Sequence, residues 1–356
     1  MKHRIKYLDG HRGLAILLVI LFHAFSRWPD VVPYGHRYAD VWLFKFGSLG
    51  VELFFMISGF VILMTLEKYR TRLEFLYRRW LRLFPAMLIC SIIIFATAGF
   101  LVERPGGAPG WDSLLPGLTF IEPVWWGHVI GHRPVVLEGA FWSLYVEVKF
   151  YLLAALVYYW RGRRALMASL IAVFTFTFAV EVINRAHSIA ALEDVLILAH
   201  TLSLQCFGWF ASGAAFYVYT QERAPRWFQL GTGLAFMSAL QVGGFDLGLT
   251  LAAILTAALF AVSVTSASIQ RLLENRFLQF FGAISYPLYL IHQNMMIAII
   301  VKLGRLGAIP AVLLPVPAVV LLAGTAFAIS RYAEPLLQTV IEGAFSRLRR
   351  RNLLAA

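Results

Sequence analysis

Two residues near the start of the chain, Arg12 and His23, stand eleven positions apart in the run YLDGHRGLAILLVILFH. On a helix rising 1.5 Å per residue that spacing is about 16 Å. A guanidinium fork suits phosphate, and an imidazole changes protonation near neutral pH, as a general base must. A long thin ligand can therefore meet Arg12 at its anionic end and His23 at its reactive end. Acyl-coenzyme A has that shape: a phosphorylated nucleotide, a flexible arm and a terminal thioester. Other ionisable groups fall inside apolar runs, namely Glu52, Glu147, Lys149, His200 and His292. Such groups are costly in lipid and mark function unless they pair with neighbours. Glu147 and Lys149 have that second option, as packing pairs, and His200 and His292 as hydrogen-bonded core residues. Asp9 lies one turn before Arg12, and Arg78, Arg79 and Arg82 crowd one basic stretch.

The elements that position these groups are set by composition. Of 356 residues, 60% are hydrophobic, 15% aromatic and only 14% charged, with a mean hydropathy of +0.73. A soluble domain carries roughly a quarter charged residues, so a soluble enzyme, a disulfide scaffold and a disordered tail are all excluded. Cys90 and Cys206 lie in apolar segments and offer neither zinc spacing nor a disulfide framework,. The net charge of +12 would suggest nucleic acid in a soluble protein. Here the basic residues fill the gaps between apolar runs, which points to orientation in a bilayer and to no nucleic-acid partner or metal.

A hydrocarbon core about 30 Å thick takes roughly 20 apolar residues as a helix. Ten runs qualify, near 8–26, 46–66, 85–102, 141–160, 165–183, 196–219, 227–244, 247–268, 283–303 and 309–333. The fold class expected is all-α, a polytopic membrane helix bundle of about ten spans with both termini cytoplasmic. With that orientation 22 Lys and Arg face the cytoplasm and 8 face out, as the positive-inside rule requires. The pattern at residues 1–26, ending Ala24-Phe25-Ser26, also matches a cleavable signal peptide. Its removal would discard Arg12 and His23. This topology places His23, Glu52 and Glu147 at similar depths in the outer half, with Lys149 beside them.

Residues 67–84 read EKYRTRLEFLYRRWLRLF. Leu73, Leu76, Trp80 and Leu83 recur at helical spacing while Arg72, Arg79 and Arg82 take the other side, which predicts an amphipathic helix lying on the membrane. Simple attraction to anionic lipid and a specific phosphate site both remain open for its basic face. The Gly- and Pro-rich stretch 103–140 predicts an ordered cap on the outer face. The tail 343–356 is basic and suits an anchor at the inner leaflet.

At these residues the sequence resembles the acyltransferase 3 family of integral membrane O-acyltransferases. The resemblance runs through YLDGHRGLAILLVILFH, GSLGVELFFMISGF (47–60), Arg79-x-x-Arg82, FWSLYVEVKFYLL (141–153), SYPLYLIH (285–292) and SRYAEP (330–335), in the family's order. It departs at Val148, where the family often has a second acid, at the following Lys149, at His11 and at the closing Glu-Pro.

The resemblance implies one catalytic domain over 1–342 in the plasma (inner) membrane. Its reaction would be transfer of an acyl group, usually acetyl, from cytosolic acyl-CoA to a hydroxyl of a cell-surface or exported glycan. Acyl-CoA is then a donor substrate, and no permanently bound cofactor is expected. His23 would be the base, or a nucleophile carrying the acyl group. Glu52 or Glu147 would orient its ring, and Arg12, Arg79 and Arg82, helped by Arg78, would hold the coenzyme phosphates. A transporter or flippase for a lipid-linked glycan is the competing expectation. Against it, the sequence shows neither repeated halves nor paired broken helices.

Overall fold

The computed structural model describes residues 5–354, with side chains through residue 347. The basic side chains Arg349, Arg350 and Arg351 of the tail lie outside the described residues, as do Lys2 and Arg4. All regular structure among the described residues is helical. The long helices are α1 (Lys6–Phe25), α2 (Gly50–Leu66), α3 (Arg72–Thr97), α4 (Trp142–His187), α5 (Ala190–Thr201) and α6 (Phe207–Glu222). They continue as α7 (Pro225–Gly243), α8 (Leu247–Thr265), α9 (Arg276–Ile291), α10 (Gln293–Arg305), α11 (Pro315–Ala328) and α12 (Glu334–Leu354).

Six helical stretches are long and apolar enough to cross a bilayer, or eight if each of two bent pairs counts as one span. The difference from ten has two sources. Runs 141–160 and 165–183 share the 46-residue helical stretch α4, in which two helices are joined across a kink. It breaks at Gly162, whose φ of 78° is open to glycine at no steric cost. Run 227–244 is helical as α7, and is not among the six. The predicted surface helix 67–84 and the span 85–102 are one helix, α3, which starts at Arg72 and carries Pro85 inside it. The boundary expected at residue 342 falls inside continuous α12.

Two broken helices, which the sequence does not suggest, are present: α5 and α6 meet at 69°, and α9 and α10 at 81°. At the first break Ser203 adopts φ 60°. Lys149 Nζ donates to the Thr201 carbonyl at 2.6 Å and to Ser203 Oγ at 3.1 Å, satisfying groups the break exposes,.

The chain forms two compact units. The first comprises residues 1–27, 38–77 and 142–282. In it α2 packs on α1, α4 and α6. Small residues let these backbones touch, the usual packing device in a membrane. A Cβ on Gly59 would stand 2.0 Å from the Phe210 carbonyl oxygen, and one on Gly213 1.9 Å from that of Met56. Helix α1 runs antiparallel to α2, since Gly47 lies against Leu18 and Phe22, and Gly50 against Ala15 and Val19. The first half of α4 runs alongside α2, from the Phe55–Trp142 ring contact to the Arg163–Glu67 ion pair. After Gly162 it returns, so that Glu181 meets Gln241 of α7 at 3.0 Å.

The second unit comprises residues 28–37, 78–141 and 283–356. Its stretch 103–140 is ordered, with helices Leu114–Thr119 and Pro123–Ile130 and a Phe95–Trp111 ring contact at 4.6 Å. Between α11 and α12 a π-helical turn spans Ile329–Ala333.

Candidate active site

His23 sits in the last turn of α1, half-buried. Its Nδ1 lies 2.8 Å from the Val19 carbonyl oxygen. A carbonyl only accepts, so Nδ1 carries the proton and Nε2 presents the basic lone pair. The same carbonyl stabilises an imidazolium once Nε2 takes a proton, the orienting work expected of a carboxylate.

The depths expected to coincide do not. Moving along α2 from Gly50 leads away from His23, because α1 and α2 are antiparallel. Glu52 therefore lies roughly two turns, about 11 Å, deeper than His23. Glu147 accepts from Ser58 Oγ at 2.7 Å, and Ser58 is six residues past Glu52, about 9 Å further at 1.5 Å per residue. The Tyr151 hydroxyl donates to the same Glu147 oxygen. Sequence depth counted residues from the ends of apolar runs, and register between helices is not written there.

The acids instead form a polar seam through the first unit. Glu52 Oε2 and Gln205 Oε1 are buried without hydrogen-bond partners. Cys206 lies within electrostatic reach of Glu52, Lys149 and Glu181. Lys149 is spent on the break between α5 and α6, as described. His200 binds Glu181, a buried acid the sequence reading passed over, at 3.0 Å.

At the opposite end of α1, Arg12 pairs with Asp9 at 2.9 Å. Asp9 is 4% exposed while the Arg12 side chain keeps 25% of its surface. His11 is fully buried and bonded to Ser263 Oγ at 2.8 Å. The Ser263 hydroxyl donates to the Phe260 carbonyl, so its oxygen accepts from His11 Nε2.

In the second unit the remaining arginines face α12. Arg78 pairs with Glu342 at 2.8 Å, exposed Arg82 lies within electrostatic reach of Glu334, and Arg79 between them is half-buried. His292 is fully buried at the bend between α9 and α10, with Nδ1 2.8 Å from the Tyr289 carbonyl. That is the hydrogen-bonded core role.

Beside this bend is a pair that sequence reading missed. Glu138, fully buried, accepts the Asn294 backbone N–H at 2.9 Å and so caps α10. Arg104 donates to the Leu137 carbonyl at 2.5 Å, and Gly106 N–H donates to Asn294 Oδ1 at 3.0 Å. Burial pushes the Glu138 carboxyl up to about 8, against the pull of the Asn294 amide and the Arg104 charge. An acid raised on folding holds an extra proton in the folded state between its unfolded and folded values. Stability then falls as pH rises from about 4.5 towards 8,. The thermal midpoint of the detergent-solubilised protein should fall across that window, and Glu138→Gln should flatten the profile. Parallel profiles for the two proteins would refute the assignment.

The long apolar helices and the ionisable groups among them describe a membrane-embedded helical protein. A family model described as an acyltransferase domain, Acyl_transf_3, matches residues 5–332, and the chain belongs to that family. It is 32% identical over 163 residues to the O-acetyltransferase OatA of Staphylococcus aureus, a stretch covering 42% of this chain and 24% of OatA. It is 31% identical over 182 residues to the membrane-bound transacylase BcsY of Komagataeibacter xylinus, covering 48% and 42%. To the acyltransferase MdmB of Streptomyces mycarofaciens it is 30% identical over 162 residues, covering 44% and 39%. The chain thus aligns with less than half the length of each of these relatives. No solved structure gives a significant match.

Proposed function

We propose that this protein transfers an acyl group, acetyl by preference, from acyl-CoA supplied on the cytosolic side to a hydroxyl of a cell-surface or exported glycan. In this reading the chain crosses the plasma membrane ten times with both termini in the cytoplasm. The observation that carries it is the geometry of α1: one uninterrupted helix bears Arg12, 25% exposed, at one end and an Nδ1-anchored His23 near the other. Family membership and the O-acetyltransferase name of OatA support it.

His23 Nε2 takes the proton of the acceptor hydroxyl as that oxygen bonds to the thioester carbonyl carbon. The C–S bond then breaks, and the departing thiolate receives the proton from the imidazolium. Val19 holds the ring, and Glu52 and Glu147 keep the seam below polar for a hydroxyl-rich acceptor. Arg12, Arg79 and Arg82 bind the phosphates, with Arg78 released from Glu342 as a helper. In a second route His23 itself carries the acyl group.

Membranes containing the protein, given radiolabelled acetyl-CoA and candidate glycans, should label a glycan. Label kept by the protein when acceptor is withheld distinguishes the second route from the first. Arg79→Ala should raise the donor KM about tenfold or more, the worth of a charge-assisted hydrogen bond, with kcat little changed. Membranes that label no glycan from any acyl-CoA would overturn the reading.

The two broken helices favour one rival, a flippase for a lipid-linked glycan, since transport sites are often built on such breaks,. Uptake of a labelled lipid-linked glycan into vesicles without acyl-CoA would support it, and label transfer with no uptake would remove it.

A further inference from the structure

A cleft of about 510 Å³ in the first unit is lined by Arg70, Thr71, Arg72, Leu156, Tyr159 and Trp160, a volume in the usual range of ligand pockets. We propose that it binds the phosphate headgroup of an anionic phospholipid. The inference uses none of the residues of the acyl-transfer reading and does not rest on it.

The cleft lies where α2 ends, the end of the bundle at which α1 begins, because α1 and α2 are antiparallel. The link between α2 and α3 is fixed there, since the Tyr159 hydroxyl lies 3.3 Å from the Leu66 carbonyl and 3.1 Å from that of Tyr69. Two arginines at this end are neutralised, Arg163 by Glu67 and Glu222 and Arg12 by Asp9, while Arg161 lies over the Trp160 ring at 4.5 Å. Arg70 and Arg72 differ, for neither guanidinium pairs with a carboxylate among the described residues. Glu74 accepts from the Arg70 backbone N–H at 3.4 Å. The Thr71 oxygen accepts from Glu74 N–H at 3.2 Å, which leaves its hydrogen available to a ligand,.

Two guanidiniums on one cleft match the planar, multi-oxygen geometry of a phosphate. The opposite wall distinguishes the source of that phosphate. Leu156 and Trp160 are one turn apart on α4 and are 60% and 73% exposed, so they form an apolar flank beside the charges. A soluble nucleotide uses only the Trp160 ring of this flank, by base stacking, and leaves Leu156 unused. A glycerophospholipid places its phosphate and its acyl chains side by side at the depth where Trp collects.

The test is native mass spectrometry of the full chain in neutral detergent, with phosphatidylglycerol, diacylglycerol and coenzyme A as probes. The expected result is retention of phosphatidylglycerol over diacylglycerol. The double variant Arg70→Ala/Arg72→Ala should bind it on the order of 30-fold more weakly, from about 1 kcal/mol per interfacial arginine. Trp160→Ala should weaken it too, and Arg271→Ala, at an exposed arginine outside the cleft lining, should not. The exposed positions chosen make misfolding a poor explanation, which an unchanged thermal midpoint would confirm. Equal retention of the two lipids, or no loss in the double variant, would overturn the site. Displacement of the lipid by coenzyme A at low concentration would assign the same phosphate chemistry to a soluble donor and overturn the lipid source.

Discussion

His23→Ala should lower acyl transfer by roughly 100- to 10,000-fold, the span a positioned general base contributes, while the protein still folds and inserts. The core face of α1 is made by Ala15, Ile16, Val19 and Ile20, each no more than 3% exposed. His23 itself is half-buried and spends one nitrogen on its own helix. Truncating it therefore removes a proton acceptor and little packing. Initial transfer rates at saturating donor and acceptor, measured with the thermal midpoint, check the result. A variant of unchanged midpoint and full rate would remove the imidazole from the chemistry.

The second large effect is at the other end of the same helix. Arg12→Ala withdraws a guanidinium from Asp9, a carboxylate 4% exposed. Breaking a buried pair from one side costs about 3–5 kcal/mol, less where one partner meets solvent as Arg12 does. Loss of activity in this variant alone is thus ambiguous between donor binding and folding. Asp9→Asn combined with Arg12→Gln separates the two, because it removes both charges and keeps polar groups of similar size. The double variant should recover the thermal midpoint and still show a donor KM raised tenfold or more, by the worth of a charge-assisted contact. Recovery of KM together with stability would reduce Arg12 to a structural partner of Asp9.

The parts of the fold legible in the sequence are those written in local periodicity. Each of the ten apolar runs is mainly helical, and Arg12 and His23 share one helix because no proline and a single glycine, Gly13, lie between them,. What was hidden depends on pairings between distant residues. The bend at Ser203 is supported by Lys149, and the bend at His292 by Glu138, through bonds 54 and 156 residues apart in sequence. Neither leaves a local signature, and Lys149 read alone looks like a site residue. Glu181 could have been found, since it is an acid inside the run 165–183, as Glu147 is inside its own. The coincidence of His23, Glu52 and Glu147 failed because it required helix register, which glycines 47 and 50 set by their contact with α1.

The reversal at Gly162 has a consequence for biosynthesis. In the proposed topology two crossings are joined there by only the four residues 161–164, three of them arginines. In that ten-span arrangement the two leave the translocation machinery together as a closed hairpin with a cationic tip.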